Sequence, residues 1–146
     1  VAVVMTADCL PILLCDTAGT CVAVVHAGWR GLAAGVIERT VAAMPVPPHK
    51  LLAWLGPAIG VDAFEVGDEV RAQFVQHDEM AAMAFHANVN GRWQCNLTLL
   101  ARQRLVGLGV SGVFGGGFCT YTDASRFFSY RRDGATGRMA AMIWLE

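Results

Sequence analysis

Pro11-Ile-Leu-Leu-Cys-Asp16, Thr17-Ala-Gly-Thr20 and Cys21-Val-Ala-Val-Val-His26 read as one apolar arm, a turn and a second apolar arm. Apolar runs rich in β-branched residues and joined by a short Gly-containing segment predict an antiparallel hairpin. Its register sets Pro11 opposite His26 and Cys9 opposite Gly28. Cys9 and His26 are then diagonal neighbours on one face, roughly 7–8 Å apart at Cα, a gap that a thiol and an imidazole can close. A slip of one residue would send them to opposite faces. A thiolate beside an imidazole is the beginning of either a zinc site or a Cys-His nucleophile pair. Asp8 alternates to the other face and is not expected to orient His26.

Outward from the hairpin, Val1-Ala-Val-Val-Met5 reads as a strand and Thr6-Ala-Asp-Cys9 as a polar break. Past His26 the apolar period lengthens. Gly28-Trp-Arg-Gly31 leads into a helix to about Met44, with Leu32, Val36, Ile37, Thr40, Val41 and Met44 on one face. Gly31 and Gly35 weaken that helix and imply close approach to the sheet or a ligand. Pro45, Pro47 and Pro48 stop it. Leu51–Leu55 is a strand. Asp68 to Gln76 is a helix with Asp68 as N-cap, Asn88-Val-Asn-Gly91 a turn, and Leu97 to Leu108 a third helix. Val110–Phe114, Phe127–Tyr130 and Arg138–Leu145 read as strands, with a turn at Asp133-Gly134.

No repeat or linker divides the chain. A hairpin plus a βαβ-like step favours α+β, mixed β-sheets with flanking helices, over a doubly wound sheet. Because Val1 opens inside an apolar strand, 1–146 is read as a single domain whose N-terminal part is incomplete.

The composition narrows the partners. Of the 146 residues 55% are hydrophobic, yet the longest unbroken apolar run, Met139 to Leu145, falls far short of the ~18 residues of a membrane span. Eleven basic against twelve acidic residues leave a net charge of −1 without a basic tract, which argues against nucleic acid. Five cysteines with no C-x-x-C point to a reducing, cytoplasmic setting rather than a disulfide scaffold.

Two motifs compete for an anion. Gly107-Leu-Gly-Val-Ser-Gly112 fits G-x-G-x-x-G, but a helix precedes it and a strand follows, the reverse of what dinucleotide binding requires. Gly28-Trp-Arg-Gly31 lies after a strand at a helix start, where free N–H groups favour an anion. Arg30 there adds a bidentate hold on phosphate or carboxylate. Arg131, in Ser129-Tyr-Arg-Arg-Asp133, is a second candidate for an anionic substrate. Cys119 is read as a core or pocket-wall thiol, and His49, His77 and His86 as surface residues.

Taken together, Thr6-Ala-Asp-Cys-Leu-Pro11, Val25-His-Ala-Gly-Trp-Arg-Gly31, Gly56-Pro-Ala-Ile-Gly60 with Phe64-Glu-Val66, Cys119-Thr-Tyr121 and Phe128-Ser-Tyr-Arg-Arg-Asp133 form an ordered set. The chain resembles the YfiH-like family, long labelled multicopper polyphenol oxidoreductase (laccase domain) and later described as purine nucleoside phosphorylase. The resemblance spans essentially the whole sequence. It implies a four-layer α/β/β/α fold like that of cysteine-hydrolase toxins, and zinc held by a cysteine and two histidines. It also implies phosphorolysis of adenosine, inosine, guanosine and methylthioadenosine, with some adenosine deamination. The family's T-A-D-C cysteine falls on Cys9 and its H-A-G-W-R histidine on His26.

Its other histidine belongs to a Q-V-H-G segment upstream of T-A-D-C, and none of His49, His77 or His86 matches it. Relatives commonly carry Asp where this chain has Asn96, before the third helix. The expected catalytic residues are Cys9, His26 and Arg30, the metal ligands Cys9 and His26, and the phosphate-binding residues Gly28, Arg30, Gly31 and Arg131. The expected partners are a purine nucleoside and phosphate, with a homodimer as a further expectation. Copper oxidation of phenols is the family's older alternative, but a type 1 copper site and a trinuclear cluster together need more histidines than four. A Cys-His amide hydrolase editing peptidoglycan precursors and an inactive binding fragment are the other readings.

Overall fold

In the computed structural model, which describes residues 1–146, β2 (Leu10–Asp16) pairs antiparallel with β3 (Val22–Ala27), and Pro11 faces His26. The turn between them is tied by Asp16. Its carboxylate accepts the Thr20 N–H at 2.6 Å, the Thr20 hydroxyl at 2.8 Å and the Cys21 N–H at 3.0 Å. The first strand, β1 (Ala2–Thr6), pairs instead with the last, β9 (Met139–Ile143), in a separate two-stranded sheet.

Beyond the hairpin, β4 (Leu51–Leu55) joins β2 antiparallel and β8 (Gly112–Gly115) joins β4 in parallel, giving the order β3-β2-β4-β8. Alternation sends Leu10, Ile12, Leu14, Val25, Ala27, Leu51, Ala53 and Leu55 into the core, each no more than 2% exposed. Burying one such Leu or Ile side chain contributes roughly 1.5–3 kcal/mol. Helices cover that face. They are α1 (Trp29–Ala33), α2 (Val36–Ala43), α3 (Asp68–His77) and α4 (Leu97–Gly107), and they contribute Leu32, Ile37, Val41, Phe74, Leu100 and Leu105 to the same core. A third sheet, β5 (Glu65–Val66), β7 (Trp93–Cys95) and β6 (Phe85–Ala87), stands apart in the order β5-β7-β6. The chain is therefore α+β with mixed sheets and flanking helices.

Four local readings are corrected. The helix expected to run to Met44 is broken at Gly35, whose φ of +82° is left-handed and which few other residues would adopt. Asp68 is the first residue of α3 rather than its cap; Gly67 holds the cap position, and the Asp68 carboxylate accepts the Trp93 indole N–H at 2.6 Å. Phe127–Tyr130 is not a strand, because the Ser129 hydroxyl caps a short helix, α5 (Tyr130–Asp133), by accepting the Arg132 N–H. The turn Asn88–Gly91 turns out to join two strands, β6 and β7, that the sequence reading left out. Asn96 caps α4 by accepting the Leu99 N–H at 2.9 Å, so an amide does the capping work of a carboxylate there.

Candidate active site

Cys9 precedes β2 and His26 lies one residue before the end of β3. His26 is on the strand face opposite the core, and both residues open onto one cleft of about 380 Å³, a size suited to a small molecule. Gly28 makes this possible: a Cβ there would stand 2.8 Å from Cys9 Sγ. Gly31, in α1, packs less closely on the preceding strand, its missing Cβ falling 3.4 Å from the His26 carbonyl oxygen. Neither glycine lines the cleft. The helix after Gly28 has five residues, so few aligned peptide dipoles add to the field at its start.

Guanidinium groups supply the charge instead. Arg30, Arg131 and Arg138 all line the cleft, and none of them is in a salt bridge. Arg30 lies over the Trp29 ring at 4.5 Å. Arg131 lies over the Phe64 ring at 5.4 Å and donates a long hydrogen bond, 3.4 Å, to the Glu65 carbonyl. Arg138 donates to the carbonyls of Thr136 and Gly137. Ile59, Phe64, Leu97, Trp29 and Tyr130 make the apolar and aromatic wall. Burial pushes the Cys9 thiol above its ordinary pKa, the charge of Asp8 adds to this, and Arg138 pulls the other way.

The one carboxylate lining the cleft is Asp8, and its oxygens are already occupied. They accept the Thr120 hydroxyl at 2.6 Å, the Arg131 N–H at 2.7 Å and the Ser129 hydroxyl at 3.1 Å. Asp8 has a φ of +90°, unlike any other non-glycine residue of the chain, a conformation that costs on the order of 1 kcal/mol. Arg132, next to Arg131, turns the opposite way. It ties down the carbonyls of Thr120, Tyr121 and Phe127 and pairs with Asp133.

Sequence reading put Cys9, His26, Arg30 and Arg131 forward, and the fold brings all four to this cleft. It missed Arg138 and Asp8. The signal for Asp8 was available: an acidic residue held between Ala7 and Cys9, beside two apolar strands, needs buried donors. Cys119 lies on a neighbouring cleft with Gly60, Asn96, Thr98 and Arg102. Burial opposes ionisation of its thiol, but hydrogen bonds from Thr122, Gly60 and Tyr121 outweigh it and hold the pKa below the ordinary value. Gly107–Gly112 joins the end of α4 to β8, the polarity that excludes dinucleotide binding.

The residues around the cleft do not match the donor sets of the metals that the family resemblance implies. His49, His77 and His86 are exposed and lie away from the cleft. No group of three or more His, Cys, Asp or Glu side chains is placed to hold an ion. Catalytic zinc takes three protein ligands, so Cys9 and His26 alone do not complete a zinc centre, and a copper cluster fits these residues still less. No helix is long and apolar enough to cross a membrane.

Comparison with known proteins agrees with the fold and the motifs. The chain is 57% identical over 144 residues to the purine nucleoside phosphorylase of Pseudomonas aeruginosa, covering 98% of this chain and 60% of that protein. It is 57% identical over 145 residues to the purine nucleoside phosphorylase YfiH of Escherichia coli, covering 99% and 59%. Among solved structures, a Neisseria meningitidis protein superimposes with a TM-score of 0.97 at 57% identity, over 99% of this chain and 60% of that one. Bacillus licheniformis YfiH gives 0.89 at 32% identity, over 94% and 55%. The chain thus spans about three fifths of the length of the curated relatives it matches. The multi-copper polyphenol oxidoreductase laccase family model matches residues 1–146, and the chain belongs to that family.

Proposed function

We propose that the Cys9–His26 cleft binds a purine nucleoside together with phosphate and carries out phosphorolysis. The observation that carries this reading is the set of three arginines, Arg30, Arg131 and Arg138, turned toward one cleft with no salt-bridge partner. Guanidinium groups without a carboxylate partner are suited to a multiply charged oxyanion. The wall of Trp29, Phe64 and Tyr130 supports the base half of the assignment, since a flat purine gains most from aromatic contact. The relatives named purine nucleoside phosphorylase support the substrate class.

In this reading Arg30 and Arg131 hold phosphate so that one of its oxygens attacks the anomeric carbon of the sugar. As that C–O bond forms, the C–N bond to the purine breaks, and its electron pair leaves with the base. A proton then neutralises the departing nitrogen, and His26, an exposed imidazole lining the cleft, is assigned its delivery. Positioning the two reactants side by side supplies much of the rate, because it removes the entropy of a bimolecular encounter. Cys9, whose sulfur occupies the space that Gly28 leaves open, lines the same cleft and shapes it. The products are a sugar 1-phosphate and the free base.

The test is turnover of inosine, adenosine, guanosine and methylthioadenosine by the intact protein and by Cys9→Ala. Loss of base release by about 100-fold is expected where removing a wall of the reacting centre misplaces the reactants by about 1 Å. Undiminished turnover would overturn the assignment. Ammonia release from adenosine in the same samples decides whether deamination accompanies phosphorolysis.

A further inference from the structure

We propose that Asp8 is the positioning residue of the anion subsite: its carboxylate holds the backbone of Arg131 and so aims that guanidinium into the cleft beside Cys9. This rests on the phosphate-binding reading above and deepens it. Asp8 is 8% exposed and forms no salt bridge; neutral donors alone occupy its oxygens. One oxygen takes the Thr120 hydroxyl, and the other takes the Ser129 hydroxyl and the Arg131 N–H at 2.7 Å. Thr120 and Ser129 are themselves fully buried.

These bonds bridge 112 to 123 positions of sequence, so one side chain joins the turn before β2 to two distant segments. The main chain of Asp8 is engaged as well, its carbonyl accepting the Ile59 N–H at 2.9 Å. An aspartate at φ +90° persists only where the surroundings over-determine it, and such residues cluster where geometry serves a site. The consequence is a fixed relation between Cys9, one residue along the chain, and Arg131, one hydrogen bond away. Asp8 never needs to meet the ligand to set where the ligand's charge is received.

A double-mutant cycle tests this, with Asp8→Ala, Arg131→Ala and the pair made in the intact protein. Two readouts are followed: the KM for phosphate against that for nucleoside, and the dissociation constant of inorganic phosphate by calorimetry. Asp8→Ala is expected to raise the phosphate KM about tenfold, as misplacing a reactant-binding group does, while leaving the nucleoside KM within about twofold. In the pair, loss of Asp8 is expected to add nothing to Arg131→Ala, because the guanidinium it aims is gone. A merely structural role gives multiplying losses and would overturn the inference, as would unchanged phosphate binding in Asp8→Ala.

Asp8→Asn keeps an acceptor oxygen and carries the same cycle if the alanine variant does not fold; a smaller but still non-additive loss is expected. Phosphate binding by the wild type without nucleoside cleavage would sink the phosphorylase reading and leave this inference standing. A wild type that binds no phosphate would sink both.

Discussion

The β2–β3 hairpin and the segment around residues 119–133 deliver side chains to the same cleft by different means. In the hairpin, ladder hydrogen bonds fix the register that sets His26 opposite Pro11, and Cys9 stands one residue before that ladder, packed against Gly28. The 129–133 segment has no ladder. Its placement depends on one buried aspartate that reaches it from across the chain, together with a local serine cap and the guanidinium of Arg132 on nearby carbonyls. Strand register therefore places His26, whereas the long-range bonds of Asp8 place Arg131. The two regions should respond to different perturbations.

The largest contrast is expected at Gly28. Gly28→Ala puts a methyl group 2.8 Å from the Cys9 sulfur, and the flexible thiol yields more readily than backbone. Its kcat/KM should fall about 100-fold, since displacement of a reacting group by about 1 Å has that effect, while Tm stays within about 2 °C of the wild type. Loss of stability with activity intact would invert the comparison. Next, Ile12→Ala empties a fully buried position of the hairpin's inner face. Urea unfolding should show a loss of about 2–5 kcal/mol, with the nucleoside KM of the folded fraction unchanged.

The neighbouring arginines separate the two roles within the second region. Arg131→Gln should raise the phosphate KM about tenfold, the equivalent of one strong charge-assisted contact, without altering Tm. Arg132→Gln should leave the phosphate KM alone and lower Tm by about 4 °C, because three carbonyls lose their donor. The smallest effect concerns the hairpin turn. Hydrogen bonds from Cys21 and Thr20 hold the Asp16 carboxyl down at about 2 against its ordinary 3.8, in spite of its burial. A depressed folded-state pKa means stability that is present above pH 4 and lost as pH falls toward 2. Acid melts of Asp16→Asn should lack that component, and wild-type and variant curves that run parallel through that range would refute it.

This division also explains what the sequence disclosed. The hairpin and its register, with His26 opposite Pro11, are consequences of two-residue alternation, which is local and readable. Arg131 was legible as a charge next to a turn, but its separation from Arg132 was not, since nothing in Arg-Arg distinguishes a cleft-facing residue from one that ties down a loop. Asp8 was discounted because strand alternation turns it away from His26. That reasoning holds for a strand, and Asp8, at φ +90°, is not in one. The break at Gly35 was visible only as a weakened helix, because a glycine's choice of the left-handed region depends on packing that propensity does not encode.

The central claim is that the hairpin's outer face and the arginines form one site where phosphate displaces a purine. It is tested most directly by following inosine in the intact protein and in His26→Ala, with and without inorganic phosphate, and identifying the sugar product. Ribose 1-phosphate and free base are expected in equal amounts, formed at a rate that rises with phosphate and falls by about 10²–10⁴-fold in the variant. Cleavage that proceeds equally without phosphate, or a variant as fast as the wild type, would contradict it.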